Sequence, residues 1–117
     1  MASQMGNRGS LDTSRVACSN RRPRACVERV IREHHTPAVE ARWLRLIPGC
    51  ESSWIPTERS GPNVGLYQFN ESTWAATPYA ARDPFQAYWS TRAAAWGYVH
   101  LEHGKYEWEC TTILGLG

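Results

Sequence analysis

The sequence predicts a single α+β domain, mainly helical, with a small irregular β-hairpin segment near its centre. Three observations carry that prediction. Apolar residues recur at helical spacing in the first and last thirds of the chain. Between residues 52 and 69 that periodicity stops, and Pro, Gly, Ser and Asn accumulate. Four cysteines, at 18, 26, 50 and 110, are enough to staple a chain of 117 residues, the size of one domain. Residues 1–17 open with the polar run MASQMGNRGS and read as a tag-like or disordered leader, with no hydrophobic stretch of a signal peptide. Residues 18–117 are taken as the domain.

The first helix is expected over Cys26 to His34, where Val27, Val30 and Ile31 share a face. Thr36-Pro37 then reads as a cap followed by a first-turn proline. Val39, Trp43, Leu46, Ile47 and Cys50 follow at steps that place them on one helical face. Pro48 lacks an amide hydrogen, so it must kink this helix or tighten its last turn, and Glu51 falls at or just past the end. Ser60-Gly61-Pro62-Asn63 is turn chemistry, followed by Val64 to Phe69 as a short hairpin or irregular loop. Asn70 is a helix cap, with Phe69 and Trp74 spaced to staple the start, and the helix must end before Pro78. Asp83-Pro84-Phe85-Gln86 signals another start, with Gln86 in the capping-box position. Phe85, Tyr88, Trp89, Trp96 and Val99 then line one side of a helix that Gly104 can stop.

Composition narrows the function classes. A net charge of +2 is too small to argue for a nucleic-acid partner, and suits approach to an anionic cell wall. No apolar run approaches the roughly 20 residues of a membrane span. No cysteine pair has the close spacing of a zinc site, so no metal and no cofactor is expected. The even count points to disulfides and an oxidising destination, with four free thiols as the alternative. Of the three possible pairings, Cys18–Cys26, closing a short loop, and Cys50–Cys110, tying the C-terminal part to the centre, are favoured. His100 and His103 share a helix face, and His34-His35 lies at a helix end; both read as solvated histidines rather than ligands. Arg21-Arg22-Pro23-Arg24 reads as a solvated loop. Six Trp residues can fill a core or stack on sugars; about two thirds are expected inside.

The chemistry sits in Cys50-Glu51-Ser52-Ser53-Trp54 and in Gly65-Leu66-Tyr67-Gln68-Phe69-Asn70-Glu71-Ser72-Thr73-Trp74. Glycosidic cleavage needs an acid that protonates the leaving oxygen, and a carboxyl serves near neutral pH only if its pKa is raised. Trp54 and the apolar helix face could desolvate Glu51, and the negative helix end opposes its ionisation. On these features alone, an exposed glutamate at a helix end is the commoner explanation. The two segments together, however, resemble the lysozyme superfamily, in particular soluble lytic transglycosylases and resuscitation-promoting factors. The similarity spans about Trp43 to Cys110, including the alanine-rich helix after Asp83-Pro84 and the ending Tyr106-Glu107-Trp108-Glu109-Cys110.

That resemblance implies a lysozyme-like fold and a monomeric enzyme, secreted or phage-encoded, that acts on peptidoglycan outside the cell. Glu51 would be the catalytic acid. Tyr67 and Gln68 would lie on the cleft floor, Gln68 facing a sugar acetamido group, with Asn70 near the sugars and Trp54 and Ser60 bordering the site. Tyr98 would match a tyrosine held near the acid in several transglycosylases. The position where animal-type lysozymes carry an aspartate is Asn63, which cannot be an anionic nucleophile. The spacing from Ser60 to Gly65 is also one residue short of the usual transglycosylase pattern. Asn63 favours a one-carboxylate route, in which the muramyl 6-hydroxyl closes a 1,6-anhydro ring. Hydrolysis is the alternative, with Glu58, Glu71 or Asp83 activating water, and a catalytically silent peptidoglycan-binding module is a further one.

Overall fold

A computed structural model describes residues 18–117; the expected leader, 1–17, lies outside them. The chain runs α1 (Pro23–Glu33), α2 (Ala38–Ser52), β1 (Arg59–Ser60), β2 (Asn63–Val64), β3 (Phe69–Asn70), α3 (Glu71–Ala75), α4 (Ala87–His100), a 3₁₀ turn (Gly104–Glu107) and α5 (Glu109–Ile113). The three strands form one antiparallel sheet in the order β1-β2-β3, with Arg59 opposite Val64, and Asn63 opposite both Ser60 and Asn70. The fold is therefore α+β and mainly helical, with its small sheet in the expected segment.

Local chemistry explains most boundaries. Pro23 occupies the first turn of α1, where its missing amide hydrogen costs nothing. Helix α2 follows Pro37 and has no side-chain cap, so Thr36 does not serve as one. Asn70 caps α3 as expected, its side-chain oxygen accepting from the Ser72 amide at 3.0 Å. The rings of Phe69 and Trp74 meet edge to face, 5.3 Å apart, across that cap. At the start of α4 the expected capping box is absent. Asn20 reaches across instead, accepting from the Ala87 amide at 2.8 Å and donating to the Phe85 carbonyl at 2.7 Å.

Pro48 stays inside α2, and the structure shows how. Its missing amide hydrogen leaves the Leu44 carbonyl, one turn earlier, without a helical donor. The Tyr67 hydroxyl fills that gap, donating to the Leu44 oxygen at 2.7 Å. Tyr67 is fully buried. One side chain from the hairpin segment thus repairs the helix that carries Glu51.

Two helical faces differ from expectation. In α2, Trp43, Leu44 and Ile47 are buried, whereas Val39 is 70% exposed and Leu46 and Cys50 lie on the solvent side. In α4 the buried face consists of small residues, Ala87, Ser90, Thr91, Ala93, Ala94 and Gly97, and Val99 is exposed. Small side chains let α4 approach α1 and α2 closely, so volume rather than hydropathy selects this face. At Gly97 a Cβ would lie 2.8 Å from the Trp108 ring.

The core is aromatic. Trp43 stacks with Tyr67 and meets Trp108 edge to face at 4.9 Å; Trp108 meets Phe69 at 5.3 Å. The polar edges are satisfied: the Trp43 indole donates to Thr111 Oγ1 and the Trp108 indole to the Tyr67 carbonyl, both at 2.8 Å. Trp43, Trp74 and Trp108 are buried and Trp54, Trp89 and Trp96 only partly so, an even split rather than two thirds inside. The disulfides pair Cys18 with Cys26 and Cys50 with Cys110. Both bonds suit an oxidising compartment. Among the described residues no helix is long and apolar enough to cross a membrane.

Candidate active site

A cleft of about 360 Å³ opens between three parts of the chain. The end of α2 contributes Glu51. The sheet and α3 contribute Asn63, Gln68, Phe69, Asn70 and Thr73. The segment after α4 closes the remaining side with Leu101, Glu107, Trp108 and Glu109.

Glu51 is placed by the way α2 stops. The chain passes into left-handed conformation at Ser53 (φ 54°) and again at Trp54 (φ 63°), and the Trp54 amide bonds back to the Pro48 carbonyl at 3.2 Å. The buried Ser52 hydroxyl bonds the same carbonyl at 3.2 Å and the Leu66 carbonyl at 2.7 Å, fastening the helix end to the hairpin segment. Two adjacent non-glycine residues in this region each cost on the order of 1–3 kcal/mol, and such strain gathers at functional sites.

The Glu51 carboxyl is half-buried, and its pKa is pushed up. Burial is the largest cause; the negative charge of Glu109 adds to it, while a hydrogen bond from the Cys110 amide opposes both. Its place in the last turn of α2 acts in the same direction as burial. The environment therefore favours a carboxyl that keeps its proton above the ordinary carboxylate range.

Gln68 also adopts a left-handed backbone, φ 53°. Its amide nitrogen donates to the Gly65 carbonyl at 2.9 Å and the Glu58 carbonyl at 3.1 Å. The donors are thus spent on the protein, and the side-chain oxygen is what remains for a ligand. Gly65 (φ 85°) is compulsory here, because a Cβ would lie 2.3 Å from the Pro84 carbonyl oxygen.

Of the residues expected in the site, the cleft brings together Glu51, Asn63, Gln68 and Asn70. Four others lie elsewhere. Tyr67 is not a cleft-floor residue, because its hydroxyl is committed to Leu44 inside the core. Tyr98 packs edge-on against Trp43, 5.1 Å away, and Trp54 lies under the Arg24 guanidinium at 4.4 Å; neither lines the cleft. Ser60 is exposed on the edge strand β1 and lines no part of it. The acids differ as well. Glu71 is paired with Arg59 at 3.1 Å, and Asp83 accepts from the Phe85 amide at 2.8 Å. Neither they nor Glu58 line the cleft; Glu107 and Glu109 do. The signal that could have found Glu109 is the Cys50–Cys110 pairing, which sets the neighbour of Cys110 beside the neighbour of Cys50.

Comparison with protein-family models, with curated proteins and with solved structures returns no match. Among the described residues no group of three or more His, Cys, Asp or Glu side chains is arranged to hold a metal ion.

Proposed function

We propose that the chain is a peptidoglycan-cleaving glycosidase, acting on the β-1,4 bond between N-acetylmuramic acid and N-acetylglucosamine with Glu51 as general acid. The observation that carries this reading is the Glu51 carboxyl, half-buried with a raised pKa in the wall of an open cleft. A carboxyl that keeps its proton above the ordinary carboxylate range can deliver it to a leaving oxygen. The opposite wall presents amide side chains, the free oxygen of Gln68 suiting an acetamido N–H. The chain's two disulfides fit work outside the cell.

Asn63 lines the cleft where the resemblance puts a carboxylate, so the animal-type retaining mechanism lacks the nucleophile that position would supply. In a lytic transglycosylase, Glu51 protonates the leaving oxygen and then takes the proton of the muramyl 6-hydroxyl as the anhydro ring closes. Hydrolysis is the second reading, and the two carboxylates that share the cleft with Glu51 favour it. Glu51→Gln tests the shared step, because it removes the proton and keeps the shape. Clearing of a cell-wall suspension should fall by about 10²–10⁴-fold. Retention of more than about a tenth of the activity would remove Glu51 from the role, since general acids contribute more than that.

A further inference from the structure

We propose that Glu109 is the general base of a hydrolysis with inversion, activating the water that attacks the muramyl anomeric carbon while Glu51 protonates the leaving oxygen. This inference rests on the glycosidase reading and decides between its two acceptors.

Glu51 follows Cys50 and Glu109 precedes Cys110, and the disulfide holds those two cysteines with their Cα atoms 6.1 Å apart. The Cys110 backbone lies near enough to the Glu51 carboxyl to act on its pKa. Glu51 and Glu109 therefore flank one covalent bridge and open into one cleft, from α2 and from the first turn of α5. A base in an inverting reaction must have its oxygens free. Glu107 is held by the His103 amide at 3.2 Å, whereas among the described residues no hydrogen bond or ion pair engages the Glu109 carboxylate.

Charge divides the roles. Glu51 is half-buried and Glu109 exposed, and the negative charge of Glu109 helps keep the proton on Glu51. One half-buried and one exposed carboxyl on the same cleft are the arrangement an acid–base pair requires. Inverting glycosidases place such a pair roughly 6.5–9.5 Å apart, with room for water between.

The step balances without another reactant. The water oxygen bonds to the muramyl C1 and its proton passes to Glu109. The bond from C1 to the glucosamine O4 breaks, its electron pair stays on O4, and O4 takes the proton of Glu51. Proton exchange with solvent then returns Glu51 to its acid form and Glu109 to its carboxylate, with one water consumed per bond cut.

The test is digestion of purified peptidoglycan in oxygen-18 water by the full chain, with products read by mass spectrometry and by proton NMR before mutarotation. Reducing muramic acid ends that carry the label, first formed as the α anomer, are expected. Glu109→Gln should lose about 10²-fold or more in rate with unchanged urea unfolding. The acidic limb of its pH–rate profile should disappear, and azide should restore turnover to Glu109→Ala as an α-glycosyl azide. Unlabelled 1,6-anhydro ends would overturn the role of Glu109 and leave the glycosidase reading standing, as would near-normal activity in Glu109→Gln. Absence of any glycosidic cleavage by the wild-type chain would overturn the glycosidase reading itself, and this inference with it.

Discussion

Replacing Tyr67 by Phe should destabilise the protein in a way that depends on Pro48. The phenol hydroxyl is the donor that reaches the Leu44 carbonyl, at 2.7 Å, where the proline withholds a helical N–H. Removing it leaves a buried carbonyl without a partner, which costs about 1–3 kcal/mol. In a Pro48→Ala background, residue 48 has an amide hydrogen one turn from Leu44, and the helix can satisfy that carbonyl itself. There Tyr67→Phe should cost only the roughly 0.5–1.5 kcal/mol of an ordinary lost hydrogen bond. Urea unfolding of the wild type, both single variants and the double variant, with disulfides intact, gives the coupling directly, provided the slopes agree. Additivity within about 0.3–0.5 kcal/mol would refute the idea that Tyr67 repairs the proline break, because coupled neighbours exceed that.

Other outcomes follow from the same geometry. Because the Glu51 pKa is raised by folding, its contribution to stability is full below the ordinary carboxylate range and is lost as pH rises through the folded value. Glu51→Gln should therefore be more stable than wild type at neutral pH and indistinguishable from it near pH 3, a difference that thermal melts at the two pH values can read. Gly65→Ala combines a positive φ with a Cβ 2.3 Å from the Pro84 carbonyl oxygen, whereas Gly61, φ 58°, has nothing within 4 Å. Gly61→Ala should cost about 1–2 kcal/mol and Gly65→Ala clearly more; equal losses in urea unfolding would discount the contact. Removing Cys50–Cys110, whose cysteines are 60 residues apart, should cost about 4 kcal/mol on the loop-entropy account, against about 2.5 for Cys18–Cys26, 8 apart. The reverse order in unfolding of the two double-serine variants would contradict that account.

What could be read in the sequence was whatever is decided locally. Asn70 and the Phe69–Trp74 staple are fixed within a few residues, and they stand as expected. Glu51 falls in the last turn of α2, as expected, just ahead of the polar run in which the helix stops at Ser52. Where partners come from far along the chain, local pattern failed. At the start of α4 a capping box with Gln86 was expected, and the Ala87 amide is instead met by Asn20, 67 residues away. The buried faces of α2 and α4 are set by what they pack against, so Val39 and Val99 face water while Ala93 and Ala94 are inside. Tyr67 looks like a cleft residue in a Gly-Leu-Tyr-Gln-Phe segment, but the unfilled carbonyl of Leu44 draws it into the core. The cleft itself was half legible. Its helix and hairpin walls were foreseen, but its third wall arrives through a disulfide that no periodicity encodes.

That third wall has a temporal consequence. Helix α2, the hairpin segment and α3 are neighbours in sequence and can find one another early, because short loops close at little entropic cost. Leu101, Glu107, Trp108 and Glu109 reach the cleft only when the segment after α4 has docked. Docking sets the Trp43 indole on Thr111 and the Trp108 indole on the Tyr67 carbonyl, contacts that span 68 and 41 residues. A nascent chain can thus hold its aromatic centre half-built, with Glu51 facing water on an unfinished surface. The wall that Leu101, Glu107, Trp108 and Glu109 build can close only once that segment docks, and the Cys50–Cys110 bond then ties it covalently to the end of α2.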